Sequence, residues 1–112
     1  MAVMDNAQIV AAIREAVEIS NFEYDQEHCD RHMGDEGFDL HDAMHVVTFG
    51  EVIEPTPERS RWLFCGKISS LDRDIRFVGQ WLHVSAEYGD VISLPTMYRP
   101  LAAEWRTERV RR

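Results

Sequence analysis

The sequence predicts an α+β domain: N-terminal helices packed on a four-stranded antiparallel sheet, with a short C-terminal helix. Two patterns predict it. Apolar residues recur at helical spacing as far as Gly50, and from Glu51 onward the runs become short and rich in β-branched and aromatic residues. The size agrees, because 112 residues that are 45% hydrophobic, with four Pro and six Gly, make one ordinary globular unit. That composition excludes collagen-like, low-complexity and wholly disordered chains. No repeat at solenoid spacing and no Gly/Ser linker divides the chain, so 1–112 is read as a single domain.

From Asp5 to Ile19, the residues Ile9, Ile13, Ala16 and Val17 form one helical stripe, with Asp5 or Asn6 placed to cap it. After a break at Ser20-Asn21, Asp25 opens a short, charged helix running to Met33, and Gly34 and Gly37 mark its exit. Asp39 caps a third helix whose apolar side is Leu40, Ala43, Met44 and Val47, and Gly50 stops it. Four strands follow: Glu51–Glu54, Arg61–Cys65, Gln80–Glu87 and Val91–Tyr98. Pro55-Thr56-Pro57-Glu58 and Tyr88-Gly89-Asp90 are the turns, and the second makes the last two strands an antiparallel hairpin. Residues 67–79 read as a loop, and Pro95, which lacks a ladder donor, marks a bulge or an edge. Leu101 to Arg109 forms a last turn or two of helix anchored by Trp105, and Arg109-Val110-Arg111-Arg112 is a frayed basic end.

The net charge of −8 opposes a nucleic-acid or anionic-membrane partner, but the charges are unevenly spread. Residues 1–58 carry two Arg against fourteen acids, and residues 59–112 carry ten Lys and Arg against six. Such halves either pair with each other, the preferred reading, or present a basic face to phosphate. The uncharged run from Val78 to Ala86 is about half of the roughly 18 apolar residues that a membrane span needs. Met1 to Asp5 shows neither the basic start nor the apolar core of a secretory leader. The expectation is a cytoplasmic protein with no membrane partner, whose two cysteines, Cys29 and Cys65, are free thiols.

Several residues together resemble a known family. They are Tyr24, His28, His32-Met33, the Phe38-Asp39 helix start, Gly50 to Glu54, Arg61-Trp62, Ile92, Thr96-Met97-Tyr98, Pro100 and Trp105. This pattern, over about residues 22–106, is similar to the domain of unknown function 4258 family, with residues 1–20 as an additional helix. The resemblance implies a small ribonuclease-like toxin of the barnase, EndoU, colicin and RelE type of fold. It also implies RNA as substrate and an antitoxin or another protein as partner. The family's motif is a His followed four residues later by Arg, then a polar pair late in the sheet. Carried over, these positions hold His28, Thr96 and Tyr98, while His32 stands where the family has Arg.

Metal-independent RNA cleavage needs a base for the 2′-hydroxyl, an acid for the 5′-oxygen and donors for the phosphorane charge. His28 is the catalytic candidate, with His83 second, because histidine titrates near neutrality. Thr96 and Tyr98, two apart on a strand, project to one face as hydroxyl donors. Arg61, Lys67, Arg99 and His83 are the substrate-binding candidates, and no cofactor is required. Read as plain structure, the same residues are ordinary strand formers and a structural histidine.

Two other readings use the same chain. His28 with His32, and His41 with His45, are spaced four apart, so each pair shares a helix face, and four converging imidazoles or Cys29 would suit zinc. They fit no tight metal motif, and as plain structure they are surface histidines on acidic helices. A non-catalytic binding or interaction module of the same fold is the alternative that the −8 charge favours. Of the aromatic residues Trp62, Phe64, Phe77, Trp81 and Tyr88, most are assigned to the core rather than to base stacking, with Trp62 and Trp81 facing each other across strands.

Overall fold

A computed structural model describes residues 4–112; Met1 to Val3, where a leader would begin, lie outside the described residues. Three helices pack against a five-stranded sheet, the α+β class that the sequence predicts. The first, α1 (Asn6–Glu18), starts at a capping box in which Asp5 accepts from the Gln8 amide and the Gln8 side chain accepts from the Asp5 amide. Its stripe buries Ile13 and Val17 completely. The second, α2 (Gln26–Glu36), is capped by Asp25 and ends at Gly37, whose φ of 79° puts it in the left-handed region. It therefore keeps Gly34 inside and exits at Gly37, the second of the two predicted exit glycines. The third, α3 (Leu40–Phe49), starts at the Asp39 capping box and buries Ala43, Val46 and Val47.

Between α1 and α2 lies a strand that the sequence does not predict, β1 (Glu23–Tyr24), paired in parallel with the last strand. Two residues are too few for an alternating pattern, and the sheet is accordingly mixed rather than four-stranded and antiparallel. The other strands are β2 (Glu51–Thr56), β3 (Arg61–Lys67), β4 (Trp81–Glu87) and β5 (Ser93–Tyr98), in the order β1-β5-β4-β3-β2. Pro55 continues β2, and the turn into β3 is a single 3-10 turn at Pro57–Arg59 closed by Ser60 at φ 53°. Pro95 sits where the β4–β5 register shifts, as an absent donor requires.

Strand alternation sorts the sheet into two faces. Trp62, Phe64, Leu82, Val84, Ala86, Leu94 and Met97 face the helices and form the core with Ile13, Val17, Val46 and Val47. Trp62 pairs with Ala86, whereas Trp81 pairs with Lys67 at the far end, so the two indoles do not meet. Arg14 joins α1 to α3 by donating to the carbonyls of Val47, Thr48 and Gly50 at 2.9, 3.0 and 2.9 Å, which satisfies the end of α3.

Residues 67–79 are a pinned excursion: Ile68, Leu71 and Phe77 are buried, and Gln80 donates to the carbonyls of Ser69 and Leu71. The C-terminal segment is not a helix. Trp105 bridges Arg111 in a small antiparallel pair that lies across the sheet face opposite the helices. The sheet offers this segment better partners than its own backbone does: the Glu108 carbonyl accepts from His83 Nε2 at 2.6 Å and from Cys65 Sγ at 3.6 Å. Nor is its basic end frayed, because Arg109 pairs with Glu51 and Arg111 with Glu54. Acidic and basic halves thus meet across this strap, as the charge pattern anticipates.

Candidate functional site

Register places a row of side chains across the face away from the helices: Glu54 opposite Leu63, Leu63 opposite Ser85, and Ser85 opposite Thr96. The row ends at α2, where His28 Nε2 and Thr96 Oγ1 share a hydrogen bond at 3.1 Å. Asp25 caps the turn that carries His28, and the neighbouring Cys29 is buried on the Leu94 and Pro95 carbonyls, so α2 is seated against β5 with His28 at the rim. Where the strap does not cover it, the row is the floor of a trench of about 260 Å³ lined also by Thr56, Arg59, Arg61, Tyr98 and Arg111.

Its electrostatics are mixed. Arg61 forms an ion pair with Glu87, and Arg111 grips both oxygens of Glu54 at 2.8 and 3.0 Å. Arg59 is exposed and, among the described residues, has no carboxylate partner. Burial raises the Tyr98 hydroxyl above its ordinary range, with Arg111 partly offsetting this, so at neutral pH Tyr98 is a protonated donor. Imidazole, hydroxyls, guanidiniums and one carboxylate therefore border a single open trench.

Beyond Tyr98 and Arg111 lies a larger cleft of about 570 Å³, walled by His32, Asp35, Glu36, Arg76, Phe77, Arg99, Leu101, Glu104 and Trp105. At its edge Glu36 binds both His32 Nδ1 and the Arg99 backbone amide, the latter at 2.6 Å.

The sequence-derived candidates separate into two groups. Thr96, Tyr98 and Arg61 line the trench, and His28 meets its edge through the Thr96 hydroxyl. Arg99 does not: it is 3% exposed, its guanidinium lies 4.3 Å from the Phe77 ring centroid, and it donates to the carbonyls of Asp72, Gly79 and Glu36. Strand alternation turns Arg99 away from Tyr98 and into the 67–79 excursion. His83 is fully buried beneath Trp105, and burial lowers its pKa to about 4, so it is neutral and sealed from solvent. Lys67 stands at the opposite end of β3, beside Trp81 and the 67–79 excursion.

The four helix histidines do not converge. His28 and His32 pack edge to face with centroids 4.8 Å apart, each turned to its own partner, while His41 and His45 lie on α3 near Lys67 and Ser69. Among the described residues no group of three or more His, Cys, Asp or Glu side chains is arranged to hold a metal ion. Cys29 is buried as well, its thiol pushed up to about 11.

Sequence reasoning passed over Glu54, Arg59, Ser85 and Arg111 as site residues. Ser85 and Glu54 carried a usable signal, the shared strand parity with Thr96; Arg111 carried none, since only the strap's folding back brings it to the trench. No family model, curated protein or solved structure matches the chain. None of the described helices is long and apolar enough to cross a membrane.

Proposed function

We propose that this protein is a small metal-independent ribonuclease that holds an RNA phosphodiester in the trench and cleaves it by acid/base transesterification. The observation that carries this reading is the His28–Thr96 hydrogen bond at the head of a trench lined by Ser85, Tyr98, Arg59, Arg61 and Arg111. The sequence likeness to the domain of unknown function 4258 family, which no family model reproduces, names the same residues, His28, Thr96 and Tyr98.

In the proposed reaction the RNA 2′-hydroxyl loses its proton to a base and attacks the adjacent phosphorus. The 5′-oxygen leaves with a proton from an acid, giving a 2′,3′-cyclic phosphate and a 5′-hydroxyl end. His28 supplies one of these proton transfers and solvent water the other, because Glu54 lies three strands from Thr96 and is held by Arg111. Thr96 holds the imidazole ring, and Tyr98, Ser85 and Arg59, the trench guanidinium with no carboxylate partner among the described residues, donate to the phosphorane oxygens.

A second reading, a non-catalytic RNA-binding or protein-interaction module, is favoured by one feature: Arg61 and Arg111 already hold carboxylates, which lowers the positive potential offered to a polyanion. One experiment separates the two. Purified protein and a His28→Ala variant are incubated with mixed-sequence RNA in excess chelator. Cleavage to cyclic phosphate ends that disappears in the variant supports the ribonuclease. RNA retained intact by both proteins supports the module.

A further inference from the structure

We propose that the cleft beside the trench is a nucleoside pocket, and that it prefers bases bearing an exocyclic amino group over uracil. It would receive the nucleoside next to the phosphodiester held at His28, and in that respect it rests on the ribonuclease reading above.

Position is the first argument. Tyr98 and Arg111 line both cavities and so form their common wall. Helix α2 borders both as well, with His28 reaching Thr96 in the trench and His32 lining the cleft. A strand whose phosphate lies at Thr96 therefore has the cleft as its neighbouring compartment.

Size and lining come next. At about 570 Å³ the cleft falls within the range of small-molecule sites, and Phe77, Leu101 and Trp105 give it apolar walls. The trench, at about 260 Å³, is the narrower compartment, suited to a backbone.

The balance of donors and acceptors then selects the ligand. All three guanidiniums at the cleft are engaged: Arg76 by Asp74, Arg111 by Glu54, and Arg99 by the carbonyls of Glu36, Asp72 and Gly79. By contrast, the exposed carboxylates of Asp35 and Glu104 have no hydrogen-bonding or ionic partner among the described residues. What the cleft offers an incoming group is therefore two open carboxylates, with the Tyr98 hydroxyl as a donor beside them. A phosphate, itself an acceptor, is repelled there. Uracil brings one N–H and two carbonyls, whereas adenine, cytosine and guanine each bring an amino group to which a carboxylate is the natural partner.

The test titrates adenosine, cytidine, guanosine and uridine into the full chain and follows the backbone amide resonances of Leu101, Glu104 and Trp105 by NMR. In parallel, RNAs differing only in the base beside the cleaved bond are digested in excess chelator. The expected result is saturable shifts at those amides for the three amino-bearing nucleosides, with uridine at least about tenfold weaker. In a doubly substituted Asp35→Asn, Glu104→Gln chain, whose fold is checked by circular dichroism, that order collapses, because amides donate as well as accept. Equal binding of uridine, shifts outside the cleft, or an unchanged order in the double variant would overturn the proposal. Loss of cleavage in His28→Ala with no nucleoside at the cleft leaves the ribonuclease and removes the pocket. Nucleosides seated in the cleft with no RNA cleaved leave the pocket and remove the ribonuclease.

Discussion

The Trp105 indole closes over the His83 imidazole edge to face, with ring centroids 4.4 Å apart and planes at 75°. Burial lowers the His83 pKa from the ordinary 6.5 to about 4. An unfolded chain therefore binds this proton more readily than the folded one. The stability that His83 contributes is complete above pH 6.5 and is lost as the pH falls from there toward 4, on the order of 3 kcal/mol in total. Histidine ring resonances recorded against pH are expected to show His83 unprotonated at pH 5.5, and a His83 that titrates near 6.5 would contradict this burial.

Arg99 works as an internal fastener. Its fork ties α2 and the 67–79 excursion to the end of β5 through three backbone carbonyls while stacking on Phe77. Lysine keeps the charge but not the planar fork, so Arg99→Lys is expected to cost about 2–3 kcal/mol in denaturant unfolding. A cost close to zero would show that the fork bears no strain.

Gly50 is required by space rather than by backbone angle. Its φ is −79°, which any residue adopts, but a Cβ there would lie 2.4 Å from the carbonyl oxygens of both Cys65 and Val46. Backbone on two sides cannot rotate aside. Gly50→Ala is expected to lower stability by about 1–3 kcal/mol, read as a lowered urea midpoint, and Gly34→Ala, with nothing within 4 Å, serves as the tolerated control.

Both thiols are protected. Burial pushes Cys29 up to about 11 and Cys65 up to about 12. At pH 8 neither supplies useful thiolate, so a chromogenic disulfide reagent is expected to react slowly with the native chain and to titrate two thiols per chain once urea unfolds it. Rapid native reaction of either cysteine would place it at the surface.

Thr96 is proposed as a positioning residue. Thr96→Val removes the hydroxyl that holds His28 at 3.1 Å and keeps the branched shape that suits a strand. On the ribonuclease reading it lowers kcat about tenfold to a hundredfold with little change in KM, and Thr96→Ser restores most of the loss. Equal loss in both variants would mean that the methyl group, not the hydroxyl, matters.

Much of the local structure was legible because it depends on near neighbours. Asp5, Asp25 and Asp39 cap their helices as their positions predict, and Gly37 and Gly50 stand just beyond helix ends. The alternation of β3 and β4 sorts core from open face without any knowledge of the partner strands. Thr96 and Tyr98 were placed on one face by the same rule, and the expected family likeness, which no family model reproduces, named His28. What local rules missed were pairings with no local cost or signal. The two-residue β1 exists only because β5 offers it a free edge.

Sequence by itself determined the α+β order, the caps, the four long strands and the parity of the sheet, because each follows from backbone preference and apolar periodicity within a few residues. The tertiary structure alone decided which polar side chains share a compartment. Arg99 and His83 looked like open donors, yet one is spent on carbonyls and the other is sealed by Trp105, whereas Glu54 and Arg111, 57 residues apart, meet at the trench. The reason lies in the fate of the C-terminal segment. A helix would have satisfied its own backbone and left the sheet bare, but the apolar surface of Trp105 and the unpaired donors of His83 and Cys65 are better satisfied together. The strap that results covers His83 and Cys65 and leaves the Ser85 and Thr96 part of the face as the trench.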